Sequence, residues 1–256
     1  MTNFVEIESI NLKVLIFDTD YYALQAMNGY LAWDRRTRVT HLAESVEQVW
    51  RHLEETPFAE LPDVIVFDVV QGGSAAQIAM TLRRLQQHLP DCLIFCTLPR
   101  HDSVAQVLDL LEAVAQVGAR GVFVKQEVRL QIAWAIVYAR GYSFVLTASL
   151  AKVARHSPLS LLQSAHVLPP QRQYPEMTDR VRQAIALTVI EGMPAHLAAH
   201  EMGISLHTVR GYVKEGYRIM EAHDHSEYPV DMTPQERAFM RFTAFQEPAN
   251  GNKEYP

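Results

Sequence analysis

The stretch "LPDVIVFDVVQGG", residues 61–73, decides how the first half of the chain is read. An unbroken apolar run, Val64 to Phe67, ends on a lone carboxylate, Asp68, followed by two valines and two glycines. A short run of this kind reads as a strand buried on both faces of a sheet. Working outward, the same pattern recurs. "KVLIF" (13–17), "RVTHLA" (38–43), "CLIFCT" (92–97) and "GVFVK" (121–125) read as further strands. Between them lie helical patterns at 21–33, 44–55, 75–89, 103–118 and 129–141; Pro90 stops the third and Gly118 caps the fourth. Five strands alternating with five helices predict an α/β fold, a five-stranded doubly wound parallel sheet covered on both faces. With five units and no G-x-G-x-x-G after the first strand, the predicted order is 2-1-3-4-5.

Composition sets the outer bounds. The 256 residues are 48% hydrophobic and 20% charged, ordinary for globular domains. The formal net charge of −6 does not announce a polyanion binder, and it is uneven. Residues 1–150 hold 12 Lys+Arg against 17 Asp+Glu, whereas residues 151–256 hold 11 against 12, which hints at two units. The two cysteines, Cys92 and Cys96, form no disulfide framework, fit a reducing compartment and read as buried thiols rather than a metal pair. No signal peptide and no run near the ~20 apolar residues of a membrane span is seen, so a cytoplasmic protein is expected.

After Gly141 the pattern changes. The expected division is a first domain over 1–145, a linker with a connecting helix over 146–176, and a helical domain over 177–256. "TASLAKVARH" (147–156) is the connecting helix, and proline-rich "HVLPPQRQYPEM" (166–177) has no periodicity. Helical patterns return at 178–191, 194–202 and 206–221. "AHDHSEYPVD" (222–231) reads as a polar loop, Thr233 and Glu236 form a capping box for a last helix, and the tail is expected to be disordered.

In a doubly wound sheet the functional crevice lies beyond the carboxyl ends of the strands. The predicted strands end at Asp18 (with Asp20 just after), Asp68, Thr97 and Lys125. Taken singly, Asp68 reads equally as a helix cap, Thr97 as a strand-end hydroxyl and Lys125 as a solvated surface lysine. Together they form a constellation for a hard divalent cation and a phosphoryl group. Gly72 and Gly73 allow close backbone approach.

This arrangement over about residues 12–142 resembles the receiver domain of bacterial two-component response regulators. The likeness rests on "LIFDTD", "DVIVFD", "IFCT" and "GARGVFVK" in that order, with "AIVYARGY" following. It implies a flavodoxin-like sheet, Asp68 as phosphoacceptor, Thr97 and Lys125 as phosphoryl-binding residues, and Mg2+ held by Asp18 and Asp68. The chain departs from the family at four points. Thr19 stands where a second acid is usual, "VVQGG" lacks a Met-Pro pair, Gln126 replaces a proline, and Val122 replaces an aromatic.

The stretch "AHLAAHEMGISLHTVRGYVKEGYRIM" (195–220) suggests a helix-turn-helix. Ala199 is small where the helices cross, Gly203 permits the turn, Ser205 caps and Val209 plugs the angle. Val209, Val213, Gly216 and Met220 form one stripe of the second helix; His207, Arg210, Lys214 and Arg218 form another, roughly 130° away. His196 and His200, four apart but without an H-E-x-x-H motif, read as satisfied or solvated rather than as a zinc pair, and His223 and His225 as loop residues without a specific role. Residues 177–221 resemble the LuxR-type DNA-binding module, and "GISLHTVRGYV" carries the likeness. By it Thr208, Arg210 and Lys214 take DNA-contacting places, while Gly211 and Glu215 depart from the pattern. Residues 169–222 hold six Lys+Arg and six Asp+Glu, so weak non-specific DNA binding is expected.

The sequence thus predicts a non-enzymatic transcription regulator. A receiver-like domain would control an all-α helix-turn-helix domain that binds double-stranded DNA, as a homodimer with a sensor histidine kinase as partner and no membrane attachment. Two alternatives stand beside it: a phosphorylation-independent dimer, constitutive or ligand-tuned, and an adaptor whose helical part binds protein.

Overall fold

Every predicted strand of the first half pairs in parallel; four are apolar enough to be covered on both faces, whereas 38–43 lies at the sheet edge and is only partly buried. The computed structural model describes residues 10–70, 73–100, 103–224, 226 and 228–246. Gly72, His225 and the tail from 247 lie outside the described residues. The sheet runs β1 (Leu12–Phe17), β2 (Thr37–Ala43), β3 (Val64–Asp68), β4 (Leu93–Leu98), β5 (Gly121–Val124), β6 (Val145–Leu146) and β7 (His166–Val167), in the order β2-β1-β3-β4-β5-β6-β7. Seven strands stand where five were expected. The first five keep the order 2-1-3-4-5, and β6 and β7 extend the β5 edge in parallel.

The two added strands are two residues each, too short for any alternation to show. Gly121 makes room for them: a Cβ there would lie 2.5 Å from the Val145 carbonyl oxygen. The pairing stops where Thr147 takes over from the backbone, its hydroxyl accepting the Val124 amide at 3.2 Å as the chain turns into the next helix.

Alternation along the central strands sorts the core. Leu15, Phe17, Ile65, Phe67, Ile94, Cys96, Val122, Val124 and Leu146 face one cluster. It is closed by α2 (Val46–Glu55), α3 (Ala75–His88) and α4 (Val104–Ala115). In α3 the residues Ile78, Leu82 and Leu85 recur at helical spacing and are buried. Each is worth about 1.5–3 kcal/mol relative to exposure. A capping box between Ser74 and Gln77 starts the helix. After β5 come a single helical turn, α5 (Lys125–Val128), and α6 (Ile132–Ala139). Buried residues of α6 and of α1 (Tyr21–Ala32) lie outside that cluster, and these two helices pack on each other. The segment expected to link is part of this unit. In α7 (Ala148–Ala154) and α8 (Ser160–Gln163), Leu150, Ala154 and Leu162 join the same core, and the compact unit extends to Pro169.

The second unit begins at Pro170. It contains α9 (Asp179–Ile185), which continues through a π-helical turn at Ala186–Ile190, then α10 (Ala195–Met202), α11 (Leu206–Ala222) and α12 (Pro234–Thr243). Gly203 ends α10 in the left-handed region at φ 64°, and Ser205 caps α11 by accepting the Thr208 amide at 3.1 Å. At Gly216 a Cβ would meet Ile185 Cγ1 at 2.6 Å, so this glycine sets how closely α9 and α11 approach. The loop after α11 is organised by buried Asp224. It accepts from Ser226, Tyr228 and Arg241 and pairs with Arg172 and Arg241. His223 bonds Glu176 at 2.8 Å rather than standing idle. No described helix is long and apolar enough to cross a membrane.

Candidate functional site

Strand register builds the crevice. Phe17 pairs with Phe67 and Asp68 with Thr97, so Asp18 emerges beside Asp68, with Thr97 on its other side. Leu98 pairs with Val124, so Lys125 leaves the neighbouring strand one residue beyond. Asp18 and Thr97 are fully buried and Asp68 is 2% exposed. Lys125 Nζ hydrogen-bonds Asp18 Oδ2 at 2.6 Å and lies 3.0 Å from Asp68 Oδ1 as an ion pair. The second contact is an ion pair to an oxygen that is itself buried. Thr97 Oγ1 is buried without a hydrogen-bond partner among the described residues.

Electrostatics follow from burial. Burial pushes the Asp68 carboxyl up; Lys125 opposes this and Asp18 adds to it. Burial pulls the Lys125 ammonium down, but its hydrogen bond to Asp18 and the charge of Asp68 outweigh that and hold it above its ordinary range. The cysteines stay inert: burial pushes Cys92 up to about 12 and Cys96 higher still.

The cavity beyond the strand ends, about 370 Å3, is lined by Asp18, Asp68 and Lys125, and also by Asp20, Gln126 and Arg129. Asp20 lines the cavity, but its Oδ1 caps α1, accepting the Tyr22 and Ala23 amides at 2.9 and 3.3 Å. Gln126 Oε1 accepts the Arg100 amide at 3.0 Å and ties the β4–α4 loop to the turn that carries Lys125. Arg129 holds φ 26°, a strained value for a residue with a side chain. Periodicity marks neither Gln126 nor Arg129; each is placed by a break in the helix after β5. Val122 is buried in the core, and Gly73, at φ 85°, precedes the α3 cap.

The residues present do not fit an Mg2+ site. Mg2+ demands near-octahedral oxygen ligands. Asp18 gives one oxygen to the Asp20 amide and the other to Lys125, and Asp68 Oδ1 faces the same ammonium. Thr19 offers a neutral hydroxyl, and no group of three His, Cys, Asp or Glu able to hold a metal exists among the described residues.

In the second unit α11 is two-faced. Val209, Gly216, Ile219 and Met220 are buried and Val213 is half-buried, whereas His207, Arg210 and Lys214 are exposed. The other two candidates are engaged locally. Thr208 Oγ1 sits 2.8 Å from Ser205 Oγ, and Arg218 is held by Glu215 through two bonds of 3.0 and 2.7 Å. Leu197 and Leu206 are exposed apolar residues that the charge pattern did not single out.

No family model and no curated protein matches the chain. Solved structures do. One is a Salmonella typhimurium RcsB response regulator, at 15% identity over 86% of this chain and 95% of that one, TM-score 0.45. Another is the isolated REC domain of RcsB from Salmonella enterica serovar Typhimurium with phosphomimetic BeF3-, at 16% identity over 56% and 98%, TM-score 0.45. A third is the two-component response regulator RcsB–DNA complex, at 14% identity over 90% and 98%, TM-score 0.46. The chain is similar to these at values low enough that its architecture rests on its own strand order.

Proposed function

We propose that the chain is a transcription regulator that binds double-stranded DNA through α11, with the α/β unit controlling that activity. The observation that carries the reading is the split of α11: Val209, Gly216, Ile219 and Met220 anchor it while His207, Arg210 and Lys214 stand free in solvent. A helix held out by a tight turn is the element a major groove admits. Arg210 brings the planar fork that pairs with guanine, and Lys214 a point charge for phosphate. Two copies would present two such helices to a two-fold operator. The protein would work in the cytoplasm, where DNA lies. Gel retardation of genomic fragments by the full chain at fixed salt is the test. Arg210→Ala and Lys214→Ala are each expected to weaken it about tenfold or more. Retardation unchanged in the double variant would leave the protein-adaptor role instead.

A second reading, phosphoryl acceptance on Asp68, is favoured by one feature: the buried Thr97 hydroxyl, without a hydrogen-bond partner among the described residues, on the strand next to Asp68. The carboxylate would attack a phosphohistidine of a sensor kinase, forming P–O as P–N breaks, and Thr97 and Lys125 would take the phosphoryl oxygens. An Asp68 amide resonance unmoved by beryllofluoride removes this reading and leaves a regulator that acts without phosphate.

A further inference from the structure

We infer that Lys125 is the resident cation of the crevice, holding Asp18 and Asp68 together with no divalent metal. The inference rests on the crevice geometry alone, not on DNA binding. Two buried carboxylates brought side by side need a counter-charge to stay ionised. An ammonium or a dication can supply it, and here the ammonium already sits between them, 2.6 Å from one and 3.0 Å from the other. To take the two oxygens that Nζ holds, a dication would have to displace Lys125 from both carboxylates.

Part of the remaining acidic lining is already engaged. Asp18 Oδ1 is spent on the Asp20 amide at 2.9 Å, and Asp20 Oδ1 on the start of α1. Thr19, neutral, stands where a further acid would strengthen the set. Arg129 lines the same cavity on a backbone held at φ 26°, and its fixed positive charge further repels a dication. Lys125 is itself well placed to stay. It opens α5 directly from β5, and Gln126 pins that turn to the Arg100 amide. The crevice is therefore set in one charge arrangement whatever the magnesium concentration.

The experiment follows thermal unfolding of the full chain while MgCl2 replaces NaCl at constant ionic strength. Wild-type Tm is expected not to move. Lys125→Gln keeps a donor for Asp18 but removes the charge, so its Tm is expected to rise with Mg2+, reflecting an affinity about tenfold or more above wild type. Lys125→Arg, which keeps the charge, is expected to stay blind to Mg2+. If Lys125→Gln does not fold in metal-free buffer, recovery of its circular dichroism on adding Mg2+ is the same positive result. Loss of the free Mn2+ electron-paramagnetic signal gives a direct count of bound metal in each variant. A wild type that gains stability or takes up Mn2+ as readily as Lys125→Gln overturns the inference. So does a Lys125→Gln variant that gains no metal. DNA retardation is a separate measurement, so its failure would leave this result standing.

Discussion

Burial pushes the Asp68 carboxyl above its ordinary range, Lys125 opposes the shift, and Asp18 adds to it. The sign of the linkage follows. A carboxyl whose folded pKa is raised contributes stability that is complete below its unfolded value, about 3.9, and is lost as pH rises through the folded value. At neutral pH the ionised Asp68 therefore works against the fold. Asp68→Asn removes that charge and leaves Lys125 paired with Asp18. The variant is expected to unfold about 2–4 °C higher at pH 7, for a gain of about 1 kcal/mol. Calorimetry at a series of pH values should show the gain shrinking as pH falls towards 4; a gain that is flat with pH would mean another cause. The placement of Asp18, Asp68, Thr97 and Lys125 at one end of the sheet was legible because neighbouring parallel strands carry their carboxyl ends to the same edge. The use of Asp20 as a helix cap was not, since an acid two residues past a strand reads equally as a cap or as a crevice ligand. Gln126 and Arg129 carry no period at all.

Among the elements, a strand shows in the sequence only where its apolar run is long enough. Four to six consecutive apolar residues announce a buried strand; Val145–Leu146 and His166–Val167 are too short to do so. Their trace was a single glycine. Gly121 opens β5, and its missing Cβ lets the Val145 carbonyl approach. Since that oxygen belongs to backbone, it cannot swing aside. Gly121→Ala is therefore expected to cost about 1–3 kcal/mol in urea unfolding. The loss should concentrate at the β5–β6 edge, so hydrogen exchange at the Val145 amide, bonded to the Arg120 carbonyl at 3.0 Å, should quicken more than at β1. Equal loss of protection across the sheet would mean the glycine matters to the whole unit and not to the seam. The segment after β6 joins the same unit because Leu150, Ala154 and Leu162, ahead of the proline-rich stretch, are buried in its core.

For the whole molecule the governing quantity is charge. The chain carries −6 overall, and residues 169–222 balance six Lys+Arg against six Asp+Glu, so a DNA-binding role has to come from local arrangement rather than from net attraction. Three of the candidate contacts on α11, His207, Arg210 and Lys214, are exposed, whereas Arg218 is neutralised in place by Glu215 at 2.7 and 3.0 Å. An exposed pair of this kind does little for stability, about 0–1 kcal/mol. In the DNA-binding reading it would decide how many phosphates the helix can meet. Glu215→Gln should leave the melting temperature nearly unchanged while freeing one guanidinium. Each added phosphate contact steepens the dependence of log K on log salt by about 0.9. Fluorescence anisotropy with a non-specific duplex is thus expected to show tighter binding at low salt, a slope steeper by about that amount, and convergence with wild type as salt is raised. Arg218→Ala in the Glu215→Gln background should return the slope to the wild-type value. A slope that ignores both substitutions would place the nucleic acid elsewhere than on this face of α11.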